Sequence, residues 1–308
     1  MLIVHQKDKL QLLIINSRLS SESVIRVIYV KPFKTQLLKW IGNKQRFAQE
    51  IIDSFPSDRA RYFEPFLGSG AVLGTLHPKC GYASDIFEPL IQIWKTVKTN
   101  PKLAKQWYQE RWKRIAISEK VSVYEEVKAS YNRNPNGADL LFLCRSCYGG
   151  VMRFRKSDGY ISTPCGIHDP IPPESFDYRV DVWNKRIQGV QFDAMDYREA
   201  MARTQKGDVV YCDPPYTHSQ AILYRGHEFR LEELMGTIAE CKSRGVRVVL
   251  SIDGSKKSGA DKCALPIPDG LFEEEVFIDC GRSMLRRFQM GGETLESEQV
   301  KDRLLLTY

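Results

Sequence analysis

The chain has 308 residues, of which 43% are apolar, 11% aromatic and 27% charged, with a formal net charge of +7 at pH 7. That is enough for one large or two modest domains around a sizeable core. No run approaches the roughly 20 apolar residues of a membrane span, and the N-terminus lacks the basic-then-apolar layout of a signal peptide, so a cytoplasmic protein is expected. Eight cysteines are scattered without regular pairing, and Cys144 and Cys147 form one isolated C-x-x-C with no second pair at zinc-like spacing. Reduced, mostly buried thiols and no metal are the expectation.

Residues 1–35 hold two apolar stretches, "LQLLIIN" and "SVIRVIYV", around "SRLSSES", which read as a strand pair or a loose appendage without an assigned role. "RYFEPFLGSGAVLGTL" then reads as a strand at about 61–64, a glycine loop, and a helix starting near Ser69. "GYASDIFEPLIQIWKTVKTN" reads as a second strand ending in Asp85, followed by an amphipathic helix with Leu90, Ile93, Trp94 and Val97 on one face. This β-loop-α-β-α order is half of a doubly wound sheet.

Residues 99–190 carry 15 Lys and Arg against 10 Asp and Glu, interleaved with Trp107, Tyr108, Trp112, Tyr131, Tyr148 and Phe154. A basic surface with aromatics suits a polyanion; a solvated helical surface is the plainer alternative. The segment is helical to about Leu143, then rich in Gly, Pro and Arg, and the Asp158-Gly159 pair inside "RKSDGY" predicts a hairpin turn. Strand-helix alternation returns with "GVQFDAMDYREAM", the strand Asp208 to Cys212, a helix over about 231–243 and "VRVVLSID". The layout is one α/β domain with a basic insertion.

Two segments carry chemistry. In "FLGSGAVLG", Gly68 and Gly70 allow close approach of a ligand at a helix start, but Gly74 falls one position late for the full dinucleotide fingerprint. Asp85, 17 residues after Gly68, suits hydrogen bonds to ribose hydroxyls. Both features fit any adenosine-type ligand, S-adenosylmethionine included. "CDPPY" is more telling. Pro214 and Pro215 end the strand in a stiff extended conformation and place Asp213 and Tyr216 beyond its carboxyl end. The Asp213 carboxylate and the Pro214 carbonyl could accept both N–H groups of an exocyclic amine, directing its lone pair at a methyl donor. Tyr216 could stack on a base extruded from a duplex.

The segments "LLKWIGNK", "FEPFLGSG", "ASD", "CYGGVMRF", "YREAMART" and "VVYCDPPY", with the ending "VKDRLLLTY", resemble in order the motifs of Dam-type (D12 class, alpha-group) DNA adenine-N6 methyltransferases over about residues 36–308. The resemblance implies a Rossmann-like, S-adenosylmethionine-dependent sheet formed by 36–98 and 191–308. An inserted, mainly helical DNA-recognition domain with a β-hairpin would occupy 99–190, and residues 1–35 lie outside the match. It implies Asp213, Pro214, Pro215 and Tyr216 as catalytic, and Trp40, Lys44, Phe66, Gly68, Gly70, Asp85, Asp196 and Asp213 around the cofactor. Lys39, Tyr148 and Arg153 would face DNA. Read from the residues alone, Arg153 is more readily a phosphate contact or surface charge than a base reader, Trp40 more often a core residue than cofactor-facing, and Lys44 could be a surface lysine at a helix start. Asn43 stands where the family has glycine, Gly149 where it has asparagine, and "DPIPP" after the hairpin does not align.

The expected partner is double-stranded DNA, with no metal and no membrane, acting as a monomer or weak dimer in a bacterial, archaeal or phage-infected cell. The alternatives are the same chemistry on RNA or cytosine N4, or a catalytically silent DNA-binding partner in a modification complex.

Overall fold

The computed structural model describes residues 11–19, 22–30, 33–155, 157–215, 229–256, 261–262, 267–282 and 299–308. Of the residues singled out from sequence, Tyr216 lies outside the described residues. The chain separates into two compact units, 1–35 and 36–308. In the first, β1 (Gln11–Leu19) pairs antiparallel with β2 (Glu22–Val30) in continuous register from Gln11 opposite Val30 to Leu19 opposite Glu22.

The second unit is built on β3 (Tyr62–Glu64), β4 (Gly81–Asp85), β5 (Val190–Ala194), β6 (Val209–Cys212), β7 (Arg247–Lys256), β8 (Asp261–Lys262), β9 (Glu274–Arg282) and β10 (Gln299–Leu306). Their order is β5-β4-β3-β6-β7-β10-β9, with the short β8 pairing β7 off this path. The first five are parallel neighbours, and β10 runs antiparallel to both β7 and β9. The chain moves outward from β3 to β4 to β5, then returns to lay β6 against the other side of β3. That reversal makes the β3/β6 junction the switch point where open α/β sheets bind ligands. Strands buried on both faces read as unbroken apolar runs. Val209, Val210, Tyr211 and Cys212 are accordingly all buried.

Helices cover the sheet: α1 (Ala48–Asp53), α2 (Ala71–Leu76), α3 (Glu88–Thr99), α8 (Tyr197–Ala202) and α9 (Leu231–Ser243) flank it, while α4 (Pro101–Ile115), α5 (Lys120–Arg133), α6 (Gly137–Ser146) and α7 (Pro173–Arg186) lie between β4 and β5 in sequence. Helix α3 buries Leu90, Ile93, Trp94 and Val97 on one stripe, and Trp94 packs against Trp183 of α7, ring centroids 4.9 Å apart, and stacks on Phe192 of β5. Helix α9 contributes Leu234, Met235, Ile238 and Cys241 to a core shared with Met201, Val210, Val248, Leu250 and Leu305. No helix among the described residues is long and apolar enough to cross a membrane.

Two expectations shift. The helix after the glycine loop starts at Ala71 rather than near Ser69, because Gly70 at its N-cap sits in the left-handed region with φ 62°. The hairpin forms its turn, with Gly159 at φ 69°, but its arms meet only at isolated antiparallel bridges, Phe154 with Ile161 and Cys147 with Cys165. Gly149 and Gly150, at φ 64° and 70°, interrupt the extended backbone a ladder requires. The β9–β10 pair had no strand assignment from sequence.

Two glycines test the packing. A Cβ on Gly189, in the turn before β5, would lie 2.4 Å from the Lys79 carbonyl oxygen and 2.7 Å from that of Pro78, whereas one on Gly236, inside α9, meets nothing within 4 Å. Gly189→Ala is expected to lower stability by about 1–3 kcal/mol, through forced backbone shifts. Gly236→Ala is expected to raise it by about 0.5–1 kcal/mol, through helix propensity. Denaturant midpoints at unchanged slope measure both.

Candidate active site

A cleft opens beyond the carboxyl ends of β3 and β6. Trp40, Ile41, Gly42 and Lys44 close one side, Glu64 and the loop Phe66–Ser69 form the floor, and Tyr211, Asp213 and Pro214 come from the end of β6. Of the residues named from sequence, Trp40, Lys44, Phe66, Gly68, Asp213 and Pro214 therefore meet at one place. Pro215 follows directly, half-buried.

The loop after β3 owes its shape to two glycines and one acid. Gly68 and Gly70 both adopt positive φ, 47° and 62°, and a side chain on Gly68 would press within 3.2 Å of the Trp40 indole. Asp85, at the end of β4, accepts from the Gly68 N–H at 3.1 Å and from the Phe87 N–H at 3.0 Å. Burial pushes its carboxyl up to about 6, against those backbone hydrogen bonds. Trp94 completes the loop by donating from Nε1 to the Gly68 carbonyl at 3.2 Å. Asp85 thus lies beneath the loop rather than on the cleft wall. Phe66 stacks on Tyr197 at 5.1 Å. Asp196, the preceding residue, caps α8 by accepting from the Arg198 N–H and pairs with the Arg198 guanidinium at 2.8 Å, off the cleft lining.

Charge at the cleft is dominated by acids. Glu64 is 3% exposed and accepts from the Tyr62 hydroxyl at 2.6 Å. Burial pushes it up to about 8, with the nearby Asp213 charge adding to the rise and the Tyr62 hydrogen bond opposing it. Lys44 is buried between two carboxylates, with Nζ 3.2 Å from Asp213 Oδ1 and 2.9 Å from Asp302 Oδ2. Sequence reasoning singled out neither Glu64 nor Asp302. Glu64 stood inside the quoted "FEPFLGSG", but only the all-buried β3 shows that its carboxyl is withdrawn from water. Asp302 is 258 residues from Lys44.

The residues expected to face nucleic acid lie apart from the cleft floor. Met152 and Phe154 are buried while Arg153 and Arg155 between and after them are exposed, so the first hairpin arm alternates and presents its arginines outward. Tyr148 is 39% exposed. Lys39 packs its stem on Gly150. Its ammonium is held below the usual lysine range by burial and by the neighbouring Arg145 and Arg179. Those two arginines also clamp the chain ahead of the cleft, Arg145 donating to the Leu37 carbonyl at 3.0 Å and Arg179 to that of Gln36 at 2.7 Å. Among the described residues, no three His, Cys, Asp or Glu side chains gather as a metal site.

A doubly wound sheet with a glycine loop and a diproline strand end converging at its switch point defines an α/β protein built to bring a small ligand and a second substrate together at one cleft. The model for D12 class N6 adenine-specific DNA methyltransferases matches residues 40–261, well over half of the chain, and the chain belongs to that family. A DNA adenine methylase of Vibrio cholerae is 28% identical over 231 residues, covering 70% of this chain and 79% of that protein. The Type II methyltransferase M.MjaIII of Methanocaldococcus jannaschii is 30% identical over 207 residues, 61% of this chain and 69% of the relative. A DNA N-6-adenine-methyltransferase of Escherichia phage P1 is 25% identical over 251 residues, 73% of this chain and 31% of the phage protein.

The raised Glu64 carboxyl has a thermodynamic signature. A carboxyl that binds its proton more tightly when folded stabilises the protein at low pH and loses that advantage as pH rises through its folded value. Between pH 6 and 8, above the Asp85 value of about 6, Glu64 continues to titrate toward about 8. Wild-type stability is therefore expected to fall across that window by up to about 1.4 kcal/mol per pH unit. Glu64→Gln should flatten the decline, as read by melting temperature against pH.

Proposed function

We propose that the protein transfers a methyl group from S-adenosylmethionine to the N6 amine of an adenine extruded from duplex DNA. The observation that carries this reading is the convergence of the glycine loop after β3 and of Asp213 and Pro214 after β6 on one cleft. S-adenosylmethionine, when bound, supplies an electrophilic methyl group. The cleft suits such a ligand: the buried Trp40 Nε1 has no hydrogen-bond partner among the described residues, and the Gly68 backbone leaves a close-approach surface beside it. Glu64 offers a carboxylate to a cationic ligand. Trp40 and the Phe66–Gly70 loop would hold the cofactor, with Asp85 fixing that loop from beneath through the Gly68 N–H.

Asp213 acts on the substrate. Its carboxylate and the Pro214 carbonyl accept the two N–H groups of the amine and strengthen as the nitrogen gains positive charge. The proton then passes to the Asp213 carboxylate that accepts it and on to water, so no metal-bound base is required. Tyr216 would support the extruded base by stacking. The exposed arginines of the hairpin arm and the basic surface of 99–190 provide the DNA contacts.

Expressed in a methylation-free host, the protein should place N6-methyladenine at a defined motif, as read by single-molecule sequencing. Asp213→Ala should lower single-turnover methylation by about 10²–10³-fold, with cofactor binding much less affected. A near wild-type rate would remove Asp213 from the mechanism, and abolition by EDTA with rescue by zinc would overturn the metal-free chemistry.

For specificity, Arg153→Ala should relax preference at a single base position, by roughly 5- to 150-fold, as expected when one bidentate guanine contact is lost. Rates on single-base-substituted duplexes measure it. A uniform loss across all duplexes, with a salt slope reduced by about one, would make Arg153 a phosphate contact instead.

A further inference from the structure

The strand β10 has no place in the chemistry described so far, yet it sends one charged side chain into the site. Asp302 lies on the same face of β10 as Leu304 and Leu306, which are 0% and 2% exposed, so a carboxylate continues an apolar row and is itself only 6% exposed. The pairing of β10 with β7 slips between Lys301 and Asp302. Such bulges re-aim side chains, often beside active sites. From there Asp302 Oδ2 meets Lys44 Nζ at 2.9 Å, and the same ammonium is 3.2 Å from Asp213 Oδ1.

A buried ion pair contributes little to stability compared with apolar side chains of the same volume, so stability alone is a weak reason for a charge here. Position is a stronger one. Asp213 comes immediately after β6, and Lys44 bears on the orientation of its carboxylate from 3.2 Å. Lys44 arrives on an irregular segment before α1. A lysine has a flexible four-carbon stem and is itself poorly oriented unless its ammonium is fixed from another direction. Asp302, on a central strand paired on both sides, supplies that direction. It also divides the lysine charge. Shared between two carboxylates, Lys44 orients Asp213 without fully neutralising it, and Asp213 remains a strong acceptor for the substrate amine.

We propose that Asp302 is a positioning residue for methyl transfer: through Lys44 it sets the orientation and acceptor strength of the Asp213 carboxylate while touching neither substrate nor cofactor. This rests on the methyltransferase reading of the cleft. The test compares wild type with Asp302→Asn, which keeps shape and removes charge, and Asp302→Glu, which keeps charge. Single-turnover methylation by Asp302→Asn should fall by about 10- to 100-fold, the scale of a misplaced catalytic group. Dissociation constants for S-adenosylmethionine and duplex should stay within about twofold. Melting temperature should hold, and Asp302→Glu should recover part of the rate. A wild-type rate in Asp302→Asn overturns the proposal, as does a loss of rate accompanied by parallel losses of cofactor binding and melting temperature, which marks a structural role. Failure of the wild type to methylate DNA would instead sink the reading of the cleft. In that case the ¹⁵N resonance of Lys44 Nζ decides: a change in Asp302→Asn supports the positioning contact, and an unchanged signal overturns it.

Discussion

Three carboxylates and one ammonium meet at the carboxyl end of the central strands, and little of that charge reaches water. Glu64, Asp302 and Lys44 are 3%, 6% and 5% exposed. A buried charge without a partner costs several kcal/mol, so the group must pair or neutralise. Lys44 pairs with Asp213 and Asp302, and Glu64 retains its proton toward about pH 8. An incoming cation is favoured where it ionises Glu64, whose carboxyl is otherwise held protonated by burial. The chain as a whole carries +7. An acidic cleft inside a basic protein separates two tasks. On the proposed reading, the outer surface would attract a phosphate backbone, while the acidic cleft would disfavour phosphate and suit a positively charged methyl donor.

The sheet order makes this cluster possible. Because β3 and β6 are parallel neighbours reached by opposite excursions of the chain, the loop after one and the diproline after the other emerge side by side. The antiparallel β10, inserted between β7 and β9, brings Asp302 in from the far end of the sequence. Arg145 and Arg179, reaching from α6 and α7 to the carbonyls of Leu37 and Gln36, fix the segment that carries Lys39, Trp40 and Lys44. Helices α6 and α7 therefore hold one wall of the cleft, even though in sequence they belong to the basic insertion.

What the sequence made legible is what depends on short range. The glycine pair and the diproline act through φ and missing N–H groups, which belong to the residues themselves. The stripe of α3 and the apolar β6 announce burial by period and composition. The rest depends on neighbours that composition does not name. Nothing in "VKDRLLLTY" marks Asp302 as the partner of a lysine 258 positions earlier. The early start expected for α2 failed because Gly70 closes the loop with one residue in the left-handed region before the helix can begin. The hairpin turn was readable from Asp158-Gly159, but not the loss of its ladder, which follows from two further glycines at positive φ.

The two acids that flank the glycine loop illustrate how position sets chemical role. Both are fully withdrawn from water and both are pushed upward by burial, Asp85 to about 6 and Glu64 to about 8. The difference lies in what compensates. Asp85 faces the backbone N–H groups of Gly68, Phe87 and Ile86, which favour the ionised form, whereas Glu64 has the Tyr62 hydroxyl and one backbone N–H, that of Leu73, set against the like charge of Asp213. At neutral pH the first is a carboxylate and can only accept; the second still holds a proton and can donate until a cation displaces it. Hydroxyl groups suit the first and a positive charge suits the second. Position thus decides which acid shapes the loop, Asp85, and which one faces the cleft, Glu64.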